Sequence, residues 1–153
     1  MKKDFIYLLL QFALFTLYFV SWENDLDWVL PPWLSYVLIA GIIFGILIIL
    51  FGIVNLSGLA VSNSDRNKKT GEYFGGIYKY VRHPIYIGIA IVMFSYAIYV
   101  LSLIKLAATI LLVILLYFKS KQEEKDLLKH FSDYKNYKKR TGRFFPKKNH
   151  HSS

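Results

Sequence analysis

Three groups of residues in the second half of this 153-residue chain could bind or transfer a charged group. The first is Tyr78-Lys79-Tyr80-Val81-Arg82-His83-Pro84-Ile85-Tyr86-Ile87-Gly88. Proline suits the first turn of a helix, where its missing N–H removes nothing, so a helix is expected to start at Pro84. The amides of that turn carry a positive partial charge, and Arg82 and His83 stand beside them. Together they offer a seat for a carboxylate or a phosphate. Tyr86 and Gly88 lie about one turn further along, where glycine lets a backbone or a ligand come close. Taken alone, the group reads more simply as a headgroup anchor, with Arg82 and His83 at a membrane surface.

The second group is Lys119-Ser120-Lys121-Gln122-Glu123-Glu124. Lys119 and Glu123 are four residues apart and share one helical face. A functional reading needs Glu123 turned toward the first group; otherwise the segment is a solvated, charge-laced helix. The third group is Tyr134, Tyr137, Arg140 and Arg143-Phe144-Phe145-Pro146. Tyr134 and Tyr137 share a face, and Arg143 with its two aromatics could fold back onto a membrane surface. By itself this group also reads as an interfacial anchor.

The elements that must position these residues are apolar. The chain is 55% hydrophobic and 18% aromatic, with 19 Lys+Arg against 10 Asp+Glu. Phe5–Trp22 runs 18 residues without a charge, and Trp28–Ser64 runs 37. A bilayer core needs about 20 helical residues, so each holds one span. The first is placed at 5–22. It is expected to be an uncleaved anchor, because Phe19-Val20-Ser21-Trp22 offers no small-residue cleavage site. In the second, Pro31 and Pro32 resist helix and Trp28 and Trp33 suit the headgroup layer, which puts the helix at about 36–56. Pro84–Phe118 is interrupted only by Lys105. As one helix it would be about 50 Å long, too long for one crossing. A hairpin is expected instead, with spans near 84–101 and 103–121, a turn near Val100–Leu103 and Lys105 snorkelling outward. The last span should continue as an amphipathic cytoplasmic helix to about Ser132, within a C-terminal segment 122–146 that precedes a disordered tail 147–153. The fold expected is thus an all-α integral membrane protein of four transmembrane helices.

Basic residues set the orientation. Lys2 and Lys3 precede the first span, the loop after it carries Glu23, Asp25 and Asp27, and the next loop carries Arg66, Lys68, Lys69, Lys79 and Arg82. The positive-inside rule then puts both termini in the cytoplasm, as four spans require, in a bacterial inner membrane. The net charge of +9 reads as topology and headgroup contact rather than nucleic-acid binding, since no folded basic domain is long enough to carry it. The absence of cysteine excludes disulfides, thiolate zinc sites and thiol nucleophiles. His150-His151 sits in the polar tail, and no metal is expected. Thr70–Gly76 follows no buried strand and is not a phosphate-binding loop.

The order and spacing of the three groups resemble the isoprenylcysteine carboxyl methyltransferase family, whose signature the run Gly76–Gly88 matches. Phospholipid N-methyltransferases share it more loosely. In that family a helical hairpin, a paired Glu, a Leu, a Phe, two Tyr three apart and an Arg before a Pro follow. Here these are Glu123, Glu124, Leu127, Phe131, Tyr134, Tyr137, Arg143 and Pro146. The resemblance covers about Gly76–Pro146, nearly half of the chain. It implies an integral membrane methyltransferase that uses S-adenosylmethionine at the cytoplasmic face. The lipophilic acceptor, entering from the bilayer, would be an isoprenylcysteine-like carboxylate, a phospholipid amine or a small thiol. Tyr78, Arg82, His83, Pro84, Tyr86, Gly88, Glu123 and Tyr137 would bind the cofactor, with Arg82 toward its carboxylate. Glu123, Lys119 and Arg143 would serve the transfer. Two features depart from the family: Lys119 stands where it usually has an Arg that grips the acceptor, and the Gly usually following the Phe is missing after Phe131. Lysine cannot make the paired hydrogen bonds of a guanidinium, which counts against carboxyl methylation. Two other classes stay open. One is an NADPH-dependent enzyme of the sterol reductase type, though Ile85 and Ile89 depart from that group. The other is a non-enzymatic scaffold or transporter subunit, which the near absence of polar residues in the spans beyond Gln11 argues against.

Overall fold

A computed structural model describes residues 2–20, 28–62, 75–131 and 133–147. The acidic loop with Glu23, Asp25 and Asp27, the polar loop with Arg66, Lys68 and Lys69, and the tail from residue 148 onward lie outside the described residues. Among the described residues five α-helices follow one another: α1 Lys2–Phe19, α2 Pro32–Ser62, α3 Pro84–Tyr99, α4 Leu103–His130 and α5 Tyr134–Arg140. A 3₁₀ turn at Gly76–Lys79 precedes α3. No strand occurs among the described residues, only an isolated parallel bridge between Val81 and Gly142.

Helix α2 starts at Pro32, four residues before the expected Tyr36, and continues past Leu56 to Ser62. Pro32 occupies the first helical position, where no N–H is needed, and the Pro31 carbonyl accepts from the amides of Leu34 and Ser35 at 3.0 and 3.2 Å. Proline here begins the helix rather than resisting it. Pro84 opens α3 as expected. The hairpin also turns where expected, between Tyr99 and Leu103. With no glycine available, Leu101 takes a φ of +52°, a left-handed conformation costing about 1–2 kcal/mol, and Ser102 caps α4.

Lys105 departs from expectation. It is buried rather than reaching outward, and its ammonium donates to the carbonyls of Tyr18 and Val20. The last carbonyls of a helix have no partner within it, and Lys105 satisfies them for α1. The carbonyls win because α1 ends beside the first turn of α4.

Helices α2 and α3 lie antiparallel, α3 joins α4 through the hairpin, and α1 packs on α4. Gly45 and Gly88 make the α2–α3 approach possible: a Cβ on Gly88 would come 2.7 Å from the Gly45 carbonyl oxygen. A core of Tyr18, Met93, Leu112 and Leu116 ties α1, α3 and α4 together, and the Tyr18 hydroxyl donates to the Met93 carbonyl at 2.7 Å. The outer faces stay apolar. Phe12, Phe44, Phe51 and Val54 are all more than half exposed, far more apolar surface than a protein in water leaves uncovered. Pro32–Leu56 and Leu103–His130 are long and apolar enough to cross a membrane, and Phe5–Phe19 and Pro84–Tyr99 are apolar but shorter.

Candidate functional site

The polar residues gather where α3 begins and α4 ends. Buried positions on α4 recur at Leu112, Leu116, Ser120 and Glu124, one stripe at four-residue spacing. Glu124 therefore continues the buried seam, and its side chain is 1% exposed. Its carboxylate is the hub of the site. Oε1 accepts from Arg82 Nε at 3.0 Å and from Arg143 Nε at 2.9 Å, with Arg82 Nη2 2.9 Å away. Oε2 accepts from Arg143 Nη2 at 2.8 Å and faces Lys138 Nζ at 3.1 Å. One carboxylate thus holds three cations from three segments of the chain.

The C-terminal segment is strapped across the start of α3 by this hub. The Arg82 amide donates to the Gly142 carbonyl at 2.9 Å and the His83 amide to Arg143 at 3.2 Å. Arg82 Nη1 donates to the carbonyls of Thr141 and Lys138. The Tyr137 hydroxyl donates to the Tyr78 carbonyl at 2.7 Å. Gly142 has no room for a Cβ, which would overlap the Phe145 carbonyl. Burial pushes the Tyr134 hydroxyl up to about 12 and the Tyr137 hydroxyl higher still, so both stay neutral.

Glu123, one residue away, points elsewhere, its side chain 37% exposed. It accepts from the Tyr86 hydroxyl at 2.7 Å, and its Oε2 lies 3.7 Å from His83 Nδ1. The turn toward the first group that a functional role requires is therefore present. His83 stacks on Tyr86 with ring centroids 5.3 Å apart, and Phe144 lies 6.0 Å from His83 and 6.5 Å from Tyr117. The result is an aromatic-walled mouth with Glu123 at its rim. Burial lowers the His83 imidazole to about 4, against the opposing pull of Glu124 and with help from the Arg82 and Arg143 charges. Its Nε2 lies 3.4 Å from Glu124 Oε1 but makes no hydrogen bond. A buried imidazole nitrogen without a hydrogen bond is costly and suits a site that receives a ligand.

Of the residues singled out from sequence, His83, Pro84, Tyr86, Lys119, Glu123 and Arg143 meet here. Lys119 Nζ sits 5.6 Å from the Tyr86 ring centre, and the Arg143 guanidinium lies 5.4 Å from that of Tyr117. Arg82 is turned inward, its donors taken by Glu124 and the strap, because the buried carboxylate outcompetes an external one. Tyr78 and Tyr137 bind the turn and the strap to each other, and Tyr78 also reaches the Gly52 carbonyl at 3.4 Å. Gly88 faces α2, so the close approach it permits is to a helix. Sequence reasoning did not single out Lys138, Thr141 or Tyr117, and named Glu124 only as a motif member. The four-residue stripe through Leu116 and Ser120 would have found Glu124; no local signal marks the others. The described residues hold no cluster of metal-ligating side chains.

Apolar outer faces around a charged, aromatic-walled mouth at one helix end define a helical membrane protein with a polar cluster at that end. The model of the phospholipid methyltransferase family matches residues 34–134, about two thirds of the chain and the part that carries His83, Glu123 and Glu124. The chain belongs to that family of membrane methyltransferases. Neither a curated protein nor a solved structure matches it significantly.

Proposed function

We propose that this chain transfers a methyl group from S-adenosylmethionine to a lipophilic acceptor, a phospholipid amine, an isoprenylcysteine-like carboxylate or a small thiol, at the cytoplasmic membrane face. In this reading all four long helices cross the bilayer and both termini face the cytoplasm. The observation that carries it is the pairing of Glu123 with Tyr86 and His83 at an aromatic-walled mouth.

The residues present fit the cofactor. Arg82, Arg143 and Lys138 outnumber the Glu124 charge, which leaves the strap side cationic and suited to a carboxylate. The Phe144 ring suits a sulfonium, and the carboxylate of Glu123 suits a cation. When bound, S-adenosylmethionine supplies an electrophilic methyl group. The strap and the rings of His83 and Phe144 would keep water from the mouth, and alignment would then supply most of the rate. Glu123 would hold the acceptor in line and, for an amine, take on Oε2 the proton that must leave before attack.

The test is binding by the purified chain of S-adenosylhomocysteine against NADPH, followed by incubation with a lipid extract and methyl-labelled cofactor. Binding of S-adenosylhomocysteine and label in a lipid fraction are expected. Binding of NADPH alone would overturn the proposal, and mass spectrometry of the labelled lipid names the acceptor.

A further inference from the structure

Gln11 is the one amide in the apolar stretch Phe5–Trp22, and the site described so far makes no use of it. Its Oε1 accepts from Lys119 Nζ at 3.0 Å. Lysine can only donate, so the amide oxygen must be the atom that faces it, which leaves the amide N–H donors directed away from the ammonium. The other contact of Lys119 is the face of the Tyr86 ring. Among the described residues, no carboxylate pairs with Lys119. Lys105 differs. That ammonium is buried against two backbone carbonyls and completes a helix end. Lys119 is partly buried between two neutral groups, with three N–H donors and only one oxygen.

A half-buried cation with no counter-ion among the described residues is an incomplete pair. It stands across the Tyr86 phenol from Glu123, whose carboxylate takes the hydroxyl. The mouth therefore offers a positive end on the membrane side and a negative end at the rim. We propose that Gln11 is a positioning residue of the acceptor site. It holds the Lys119 ammonium over Tyr86 as a seat for an anionic oxygen group, phosphate or carboxylate, of the lipid-borne acceptor, and turns an amide N–H toward the same group. Helix α1 thereby forms a wall of the site. This rests on the proposed methyl transfer for the identity of the bound lipid as an acceptor, but the seat itself needs no cofactor.

Gln11→Glu is the informative variant. It places a carboxylate on Lys119, keeps the α1–α4 contact and fills the seat. Gln11→Leu removes the contact. If Gln11 only fastened α1, Gln11→Glu would be harmless or stabilising and Gln11→Leu harmful. If it positions Lys119, both lose the anion. The probes are dioctanoyl phosphatidate, decanoate and uncharged dioctanoylglycerol, added to the full chain in detergent micelles and read by binding titration and by lipid-dependent thermal shift. Wild type should bind at least one anionic probe in preference to dioctanoylglycerol. Gln11→Glu should lose that binding by about tenfold or more, corresponding to about 1.4 kcal/mol, while its lipid-free melting temperature is unchanged or raised. The anionic probe whose binding falls identifies the group. Wild-type indifference to charge, or undiminished anionic binding by Gln11→Glu, would overturn the inference. Titration of the same preparations with S-adenosylhomocysteine separates the two claims. Lost nucleoside binding with a Gln11-dependent anion seat ends the methyl-transfer reading alone. Retained nucleoside binding with a silent Gln11→Glu ends this one alone.

Discussion

Replacing Glu124 with glutamine tests whether the strap is held by charge. The change keeps shape and length but turns one carboxylate oxygen into an NH₂ group. In either orientation that NH₂ faces donors: Arg82 and Arg143 Nε on one side, Arg143 Nη2 and Lys138 on the other. Removing one partner from a buried ion pair costs on the order of 3–5 kcal/mol, because the cations left behind remain desolvated. Lys138 is 38% exposed and can turn to solvent, so its share is discounted. Arg82 and Arg143, at 6% and 20%, cannot, and together they set the lower part of that range. A loss of about 3–4 kcal/mol raises the population with the strap open by roughly 100- to 1000-fold.

Hydrogen exchange reads this opening directly. The Arg82 and His83 amides are protected by the Gly142 and Arg143 carbonyls, bonds that exist only while the strap is closed. In Glu124→Gln these two amides should exchange faster by about the factor above, and trypsin should cut at Lys138 or Arg140 at doses that spare the wild type. Amides in the middle of α3 should not change. Glu123→Gln serves as the neighbouring control, since Glu123 holds only Tyr86 and faces His83. Unchanged exchange at Arg82 and His83 in Glu124→Gln, or equal acceleration in Glu123→Gln, would refute the assignment of Glu124 as the hub.

Three further outcomes follow from the same structure. His83 is buried with its imidazole lowered to about 4, so the unfolded chain binds the extra proton between about pH 6.5 and 4; stability should be full above that window and fall through it by about 3 kcal/mol, and His83→Gln should flatten this part of the pH–stability curve in chemical denaturation. Lys105→Met leaves the Tyr18 and Val20 carbonyls without their donor, at a cost of about 1–3 kcal/mol, visible as a lower melting temperature and faster exchange in the last turn of α1, whereas Lys105→Arg should largely retain both. Gly88→Val forces a Cβ against the Gly45 carbonyl and should cost about 1–3 kcal/mol in detergent-based unfolding, while Gly75→Ala, which meets nothing within 4 Å, should be neutral.

Local rules carried much of this from sequence. Pro84 opens α3 because proline is favoured at a first helical position, and the hairpin turn follows from the length a single crossing allows. The turn of Glu123 toward His83 and Tyr86, which a functional reading of the second group needs, is present in the structure. What escaped depends on which ends meet in space. Lys105 looked like a snorkelling residue because nothing in its own helix says that the open carbonyls of α1 lie beside it. Arg82 looked outward-facing because the carboxylate that claims it is 42 residues away. Pro32 shows the same dependence on position: proline disfavours a helix interior but fits the first turn, and only the start of α2 decides between the two.

The division of labour between Glu123 and Glu124 follows from helix geometry more than from chemistry. Adjacent residues on a helix diverge by about 100°, so two neighbouring carboxylates cannot share one environment when one face is buried. The rotation of α4 decides which of them is fixed and which is available, and that rotation is set by Leu112 and Leu116 in the core with α1 and α3. The buried carboxylate becomes a strut that neutralises Arg82 and Arg143 and closes the strap. Its neighbour is left half-open at the mouth, with a tyrosine hydroxyl and an imidazole to orient it. A charge committed to holding cations cannot also receive a substrate, and a charge open to substrate cannot hold a strap. In the proposed reaction the paired glutamates would supply both functions within one turn, provided that the apolar packing below them keeps the helix from turning.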